Sequence, residues 1–159
     1  MGEKNPLVKP VLKWVGGKRQ LLDSIMPLVK KDCSTYVEPF VGGGAVLFEL
    51  APKKAIINDY NKELINVYVT IKDNPLELIE KLKFHAENNS EEYFYKIRSL
   101  DRTYLFSQLT DVERAARIIY LNKTCYNGLY RVNSSGQFNT PYGKYKNPDI
   151  INETTIKAL

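Results

Sequence analysis

Cysteine is scarce. Cys33 and Cys125 are the only two in 159 residues, far apart and without a surrounding His/Cys cluster. Neither a disulfide scaffold nor a structural zinc site is expected, and the pair reads as free thiols in a reducing compartment. Long apolar runs are missing too: none approaches the ~20 residues that a membrane span requires. The opening stretch Met1-Gly2-Glu3-Lys4-Asn5-Pro6 lacks a signal-peptide pattern, so a cytoplasmic location is expected, with no membrane and no metal among the partners. Internal repeats and low-complexity segments are also absent.

Acidic residues are missing from one long stretch. Arg114 to Pro148 carries six basic residues (Arg114, Arg117, Lys123, Arg131, Lys144, Lys146) and no Asp or Glu. Residues 1–31 hold seven basic and two acidic side chains, and residues 32–113 hold nine and fourteen, within a net charge of +5. Such segregation is the footprint expected for a polyanion partner, although a solvated basic face carries the same signature. Otherwise the composition is ordinary: 43% hydrophobic and 26% charged, in a length suited to one domain.

Leu21, Leu22, Ile25, Met26 and Val29 have the spacing of an amphipathic helix, with Pro27 late in the pattern to kink or shorten it. Thr35 to Val41 reads as a short strand broken by Gly42-Gly43-Gly44. Ala45 to Leu50 looks helical, and Ala55 to Asp59 reads as a buried strand ending in polar residues. Strand–helix–strand is the opening of a doubly wound α/β sheet. Helices follow: one striped by Leu64, Ile65, Tyr68 and Ile71, one starting at Asn74-Pro75, one at Ser90-Glu91-Glu92, and one at the capping box Thr110-x-x-Glu113. Periodicity ends near Thr124. Up to Asp149 the chain is rich in Gly, Pro and Asn, and Ser134-Ser135-Gly136 would close a hairpin between Leu129–Val132 and Gln137–Asn139.

Three groups of residues carry chemistry. Phe40-Val41-Gly42-Gly43-Gly44 lets a ligand approach bare backbone at a helix start, and Asp59 ends the next strand 17 residues after Gly42, where an acid accepts ribose hydroxyls. The glycine spacing is not Gly-x-Gly-x-x-Gly, which disfavours a dinucleotide, and a plain tight turn stays open. In Lys13-Trp14-Val15-Gly16-Gly17-Lys18-Arg19, two cations open a helix where the dipole disfavours them, so they suit an anionic ligand group or simply solvent. Trp14 suits stacking on an aromatic ligand or a place in the core. Residues 125–149 mix Tyr126, Tyr130, Phe138, Tyr142 and Tyr145 with Arg131, Lys144 and Lys146, a combination for stacking on bases, reading guanine and neutralising phosphate. A Tyr-rich loop packed on itself is the alternative. His85, on a polar helix face without a sequence partner, is given no role.

Taken in order, Lys13-Trp14-x-Gly16-Gly17-Lys18-Arg19, Glu38-Pro39-Phe40-x-Gly42-Gly43-Gly44, Asn58-Asp59-x-Asn61 and Tyr126-Asn127-Gly128-Leu129-Tyr130-Arg131, followed by Phe138-Asn139-x-Pro141-Tyr142-Gly143, resemble the Dam-type DNA adenine N6-methyltransferases. The resemblance implies an incomplete Rossmann-like α/β sheet dependent on S-adenosylmethionine, with a helical DNA-recognition insertion. It implies a cofactor part over 1–60, a recognition region over 61–149 and a return to the methyltransferase domain over 150–159. Trp14, Lys18, Phe40, Gly42, Gly44 and Asp59 would bind S-adenosylmethionine, with Lys18 on the methionine carboxylate and Asp59 on the ribose. Lys13, Tyr126, Asn127, Leu129, Arg131 and Lys144 would lie on or near double-stranded DNA, with GATC the usual target. Relatives can carry Arg at the last position, so Lys144 would lose a bidentate base contact and keep the charge.

The family's catalytic Asp-Pro-Pro-Tyr has no counterpart, because no Pro-Pro occurs anywhere in the chain. The expectation is therefore an N-terminal portion without catalytic residues of its own, whether a fragment, a split gene or an interrupted reading frame, with a separate C-terminal fragment carrying that segment as a candidate partner. A non-catalytic DNA-binding remnant is the alternative. A Rossmann oxidoreductase is disfavoured by the glycine spacing and the aromatic, basic loop.

Overall fold

In the computed structural model, which describes residues 7–30 and 33–159, strand β1 (Tyr36–Glu38) pairs in parallel with strand β2 (Ala55–Ile57). Residues 1–6, read above for targeting, lie outside the described residues. Register sets Tyr36 beside Ala55, Val37 beside Ile56 and Glu38 beside Ile57. The crossover contains helix α2 (Ala45–Leu50), so the expected strand–helix–strand unit is present.

Two expectations need correction here. The strand at Ala55 was expected to be buried, yet Val37 and Ile56 are 57% and 56% exposed. Side chains alternate across a strand, so Glu38 and Ile57 share one face and Val37 and Ile56 the other. Parallel sheets bury both faces only where crossover helices cover both. The second correction concerns the stripe from Leu21 to Val29. It forms one α-turn, α1 (Leu22–Ile25), flanked by 3-10 turns at Lys18–Leu21 and Met26–Leu28, with no buried residue in any of the three. Pro27 has no N–H to donate back to Asp23, which ends the regular ladder.

The core lies in the helices. Asn61 caps α3 (Lys62–Asp73) by accepting the Leu64 N–H, and Pro75 opens α4 (Pro75–Glu87). Ser90 caps α5 (Glu91–Ser99) through the Tyr93 N–H. The expected capping box is formed at α6 (Asp111–Thr124), with Thr110 and Glu113 bonding reciprocally. Helices α3, α4 and α5 all pack on α6, which is buried almost all round. Leu64, Leu78, Leu82, Phe94, Ile119 and Tyr120 meet there, fully enclosed. A last short helix, α7 (Glu153–Ala158), packs on α4.

His85 departs from its expected polar face. Its ring stacks on Tyr120 at 4.9 Å and its Nδ1 lies 2.8 Å from the Tyr93 hydroxyl, so it joins α4, α5 and α6. Burial, with the nearby Lys81 charge, pulls its pKa down to about 4. Among the described residues no helix is long and apolar enough to cross a membrane.

Candidate cofactor pocket and nucleic-acid interface

The pocket begins with a glycine turn that only glycine can make. Gly44, left-handed at φ +76°, caps α2, and a Cβ there would sit 2.6 Å from the Phe48 ring and 2.9 Å from the Tyr68 hydroxyl. The Tyr68 hydroxyl also donates to the Gly42 carbonyl at 2.8 Å. Burial, reinforced by the Glu38 and Asp59 charges, keeps that phenol protonated well above the usual tyrosine range. Asp59 fixes the other side. Its Oδ2 accepts the Gly42 N–H at 2.9 Å and its Oδ1 the Asn61 N–H at 3.0 Å, locking the first strand's turn to the second strand's end.

Trp14, Lys18, Phe40, Gly42 and Asp59 line one pocket of about 270 Å³ between these elements, together with Gly16, Gly17 and Gly43. Gly44, grouped with them by resemblance, supports the turn from beneath and is not part of the lining. Lys18 Nζ donates to Glu38 Oε1 at 3.0 Å and to the Phe40 carbonyl at 2.5 Å. The second Glu38 oxygen, Oε2, is buried without a hydrogen-bond partner. Such an atom is costly unless something donates to it. The Trp14 side chain packs on the glycine turn, where a Cβ on Gly42 or Gly43 would come within 3.3 or 3.2 Å of it. One indole face is covered by Tyr130, centroid to centroid 4.7 Å.

The nucleic-acid candidates fall into two groups. Asn122, buried in α6, accepts the Lys13 N–H and donates to the carbonyls of Lys13 and Gly128, each at 2.9 Å. This clamp brings Lys13 against the turn Tyr126–Gly128, close enough that a Cβ on Gly128 would lie 2.8 Å from the Lys13 Cδ. Tyr126 and Asn127 are exposed there, with Asn127 left-handed at φ +54°. The second group lies on the expected hairpin. Val132 bridges Phe138, the Asn139 N–H reaches the Arg131 carbonyl at 3.0 Å, and Gly136 closes the turn onto Asn133. Arg131, exposed, donates through Nε and Nη2 to the side chain and carbonyl of Asn139, at 2.7 and 3.2 Å. Leu129 lies between the groups, its carbonyl accepting the Thr140 hydroxyl at 2.6 Å. Lys144 stands apart and exposed, with Glu91 at 4.0 Å.

Several contributors escaped the sequence reading. Tyr68 and Asn122 had no local signature, since their partners lie far away in the chain. Lys9 and Lys123 join Lys13 and Arg19 around a groove of about 430 Å³. Burial lowers the Lys123 pKa, the Asp149 charge opposing. Among the described residues no cluster of His, Cys, Asp and Glu is arranged to hold a metal, and both cysteines are free, Cys33 exposed and Cys125 buried.

A profile of the D12 class of N6 adenine-specific DNA methyltransferases matches residues 14–159. The type II methyltransferase M1.LlaDCHI of Lactococcus lactis subsp. cremoris is 52% identical over 158 residues, covering 99% of this chain and 56% of that protein. The type II methyltransferase M.MjaIII of Methanocaldococcus jannaschii is 46% identical over 96% of this chain and 58% of its own length. A DNA adenine methylase of Serratia marcescens is 39% identical over 86% of this chain and 50% of that protein. The chain thus spans about half the length of the curated relatives it matches.

Proposed function

Because the chain belongs to the D12 class of N6 adenine-specific DNA methyltransferases, we propose that it supplies the S-adenosylmethionine pocket and the DNA-recognition hairpin of an enzyme that methylates adenine N6 in GATC. Residues 1–60 form its cofactor part and residues 61–149 its recognition region, on an incomplete Rossmann-like sheet. One observation carries this reading: Trp14, Lys18, Phe40, Gly42 and Asp59, far apart in sequence, line a single pocket.

The residues fit the cofactor chemically. Lys18 spends two N–H groups on Glu38 and Phe40, leaving a third for a carboxylate. The unpartnered Glu38 Oε2 suits an α-ammonium beside it. Each Asp59 oxygen accepts one backbone N–H, so lone pairs remain for two ribose hydroxyls. When bound, S-adenosylmethionine supplies an electrophilic methyl group. This chain's residues hold and orient that group's carrier, while Lys13, Tyr126, Asn127, Leu129 and Arg131 engage the duplex, with Lys144 adding charge. The type II names of two relatives support a role in restriction–modification.

Calorimetric titration with S-adenosylmethionine tests the reading. One cofactor should bind per chain, and Lys18→Met should weaken binding about tenfold, as expected for loss of a charge-assisted hydrogen bond. No binding by the unaltered chain, or equal binding by the variant, rejects the pocket assignment.

A further inference from the structure

Tyr130 touches both halves of the proposed site. Its ring stacks on Trp14 at 4.7 Å and an interplanar angle of 25°, and it meets Phe138 edge-on at 5.7 Å and 72°. Trp14 in turn rests on Gly42 and Gly43, so the indole is held between the cofactor turn and Tyr130. On the far side Phe138 is fixed at both backbone atoms. Its N–H donates to Asp101 Oδ2 at 2.8 Å and its carbonyl accepts from Arg102 Nη2 at 2.8 Å. Asp101 Oδ2 also pairs with the buried Arg117 guanidinium at 2.9 Å. One residue beyond Phe138 is Asn139, which orients Arg131.

We propose that Tyr130 is a positioning residue that couples the cofactor pocket to the DNA-recognition hairpin, so that filling one site raises affinity at the other. The inference rests on the cofactor and DNA assignments above. Its physical basis is close packing. Rings in van der Waals contact do not shift independently, and Trp14, Tyr130 and Phe138 form one continuous row of such contacts resting on the glycine turn. Cofactor seated on the turn restrains Trp14, which restrains Tyr130 and with it the base of the hairpin. The hairpin is then already ordered when DNA arrives. By linkage the effect is equal in both directions. An aromatic contact of this kind is worth roughly three- to tenfold in an equilibrium constant.

The test is a binding cycle on the full chain. Affinity for S-adenosylhomocysteine is measured without and with saturating GATC duplex, and affinity for the duplex without and with S-adenosylhomocysteine. The unaltered chain should show one coupling factor of roughly three- to tenfold in both directions. Tyr130→Phe, which keeps the ring, should retain it. Tyr130→Leu should bind each ligand alone yet bring the factor close to one. Should Tyr130→Leu lose its cooperative unfolding transition, Tyr130→Met carries the same comparison. Both ligands binding the unaltered chain independently overturns the coupling, a Tyr130→Leu chain that couples at full strength overturns the role of Tyr130 in it, and either result leaves the site assignments standing. Failure of the unaltered chain to bind either ligand overturns the coupling together with the assignments beneath it.

Discussion

The Asn122 side-chain amide satisfies both backbone groups of Lys13, 109 positions away, accepting its N–H and donating to its carbonyl. A third bond to the Gly128 carbonyl ties the same amide to the turn that carries Tyr126 and Asn127. Asn122→Ala leaves buried groups unmatched, each costing about 1–3 kcal/mol. The variant should lose roughly 2–4 kcal/mol of unfolding free energy in urea and bind duplex DNA more weakly. A loss under about 0.5 kcal/mol, the level of an ordinary surface change, rejects the clamp.

Asp59 and Glu63 make an informative pair because they lie close in sequence and do different work. Asp59 shapes the pocket, whereas Glu63 forms an ion pair with Arg114 on α6. Asp59→Ala should weaken S-adenosylmethionine binding by about tenfold or more, the worth of a single charge-assisted hydrogen bond. Glu63→Ala should leave that affinity within about twofold, while its effect appears in denaturation. Calorimetry showing equal losses in both variants removes Asp59 from its assigned role.

The glycine turn, the acid just beyond β2 and the capping box at Thr110 were legible because their chemistry is local: a sharp bend needs glycine, and a helix start needs an acceptor. The apolar run at Ala55–Ile57 read as a buried strand, and it is not one, since burial of a strand depends on what covers the sheet rather than on the strand itself. His85 was misread for a related reason. Its partners Tyr93 and Tyr120 come from two other helices, and the periodicity of α4 contains no trace of them. The Lys13–Asn122 clamp is wholly tertiary.

His85 should leave a mark on stability between pH 5 and 6.5. Its folded pKa of about 4 lies below the ordinary 6.5, so the unfolded chain takes up the proton first. Stability is therefore full above pH 6.5 and falls as pH drops toward 4, by at most about 3 kcal/mol for this group. The Glu113 and Glu153 carboxyls, held below the usual carboxylate range by hydrogen bonds from Lys81 and Lys157, add their slope mainly below pH 5. His85→Phe should flatten the profile of urea midpoints from pH 6.5 to 5. An unchanged slope in the variant assigns the titration to another group.

We propose that the 159 residues alone transfer no methyl group. Adenine N6 is a weak nucleophile because its lone pair is delocalised into the ring. It needs acceptors for its protons beside the sulfonium, a task that the resemblance drawn from the sequence would give to an Asp-Pro-Pro-Tyr segment, which this sequence does not contain. Radiolabelled S-adenosylmethionine and GATC duplex should yield unlabelled DNA. Labelling that depends on the chain shows that other residues here serve as those acceptors.

Arg131 and Lys146 should separate sequence reading from general attraction to DNA. Arg131 projects from the hairpin with its Nε and one Nη2 N–H committed to Asn139, which fixes the plane of the guanidinium and leaves three N–H groups for a guanine edge. Losing a bidentate guanine contact costs about 1–3 kcal/mol, and the cost falls on the cognate duplex alone. Asn139→Ala should reproduce part of that loss by releasing the guanidinium. Lys146 is exposed beyond the aromatic cluster, where a flexible ammonium would meet phosphate. Its removal should weaken all duplexes alike and reduce the salt slope by about one unit. Titrations of Arg131→Ala, Asn139→Ala and Lys146→Ala against GATC and scrambled duplexes at several salt concentrations make the comparison. If Arg131→Ala weakens both duplexes equally, its guanidinium is one more phosphate contact and specificity resides elsewhere on the hairpin.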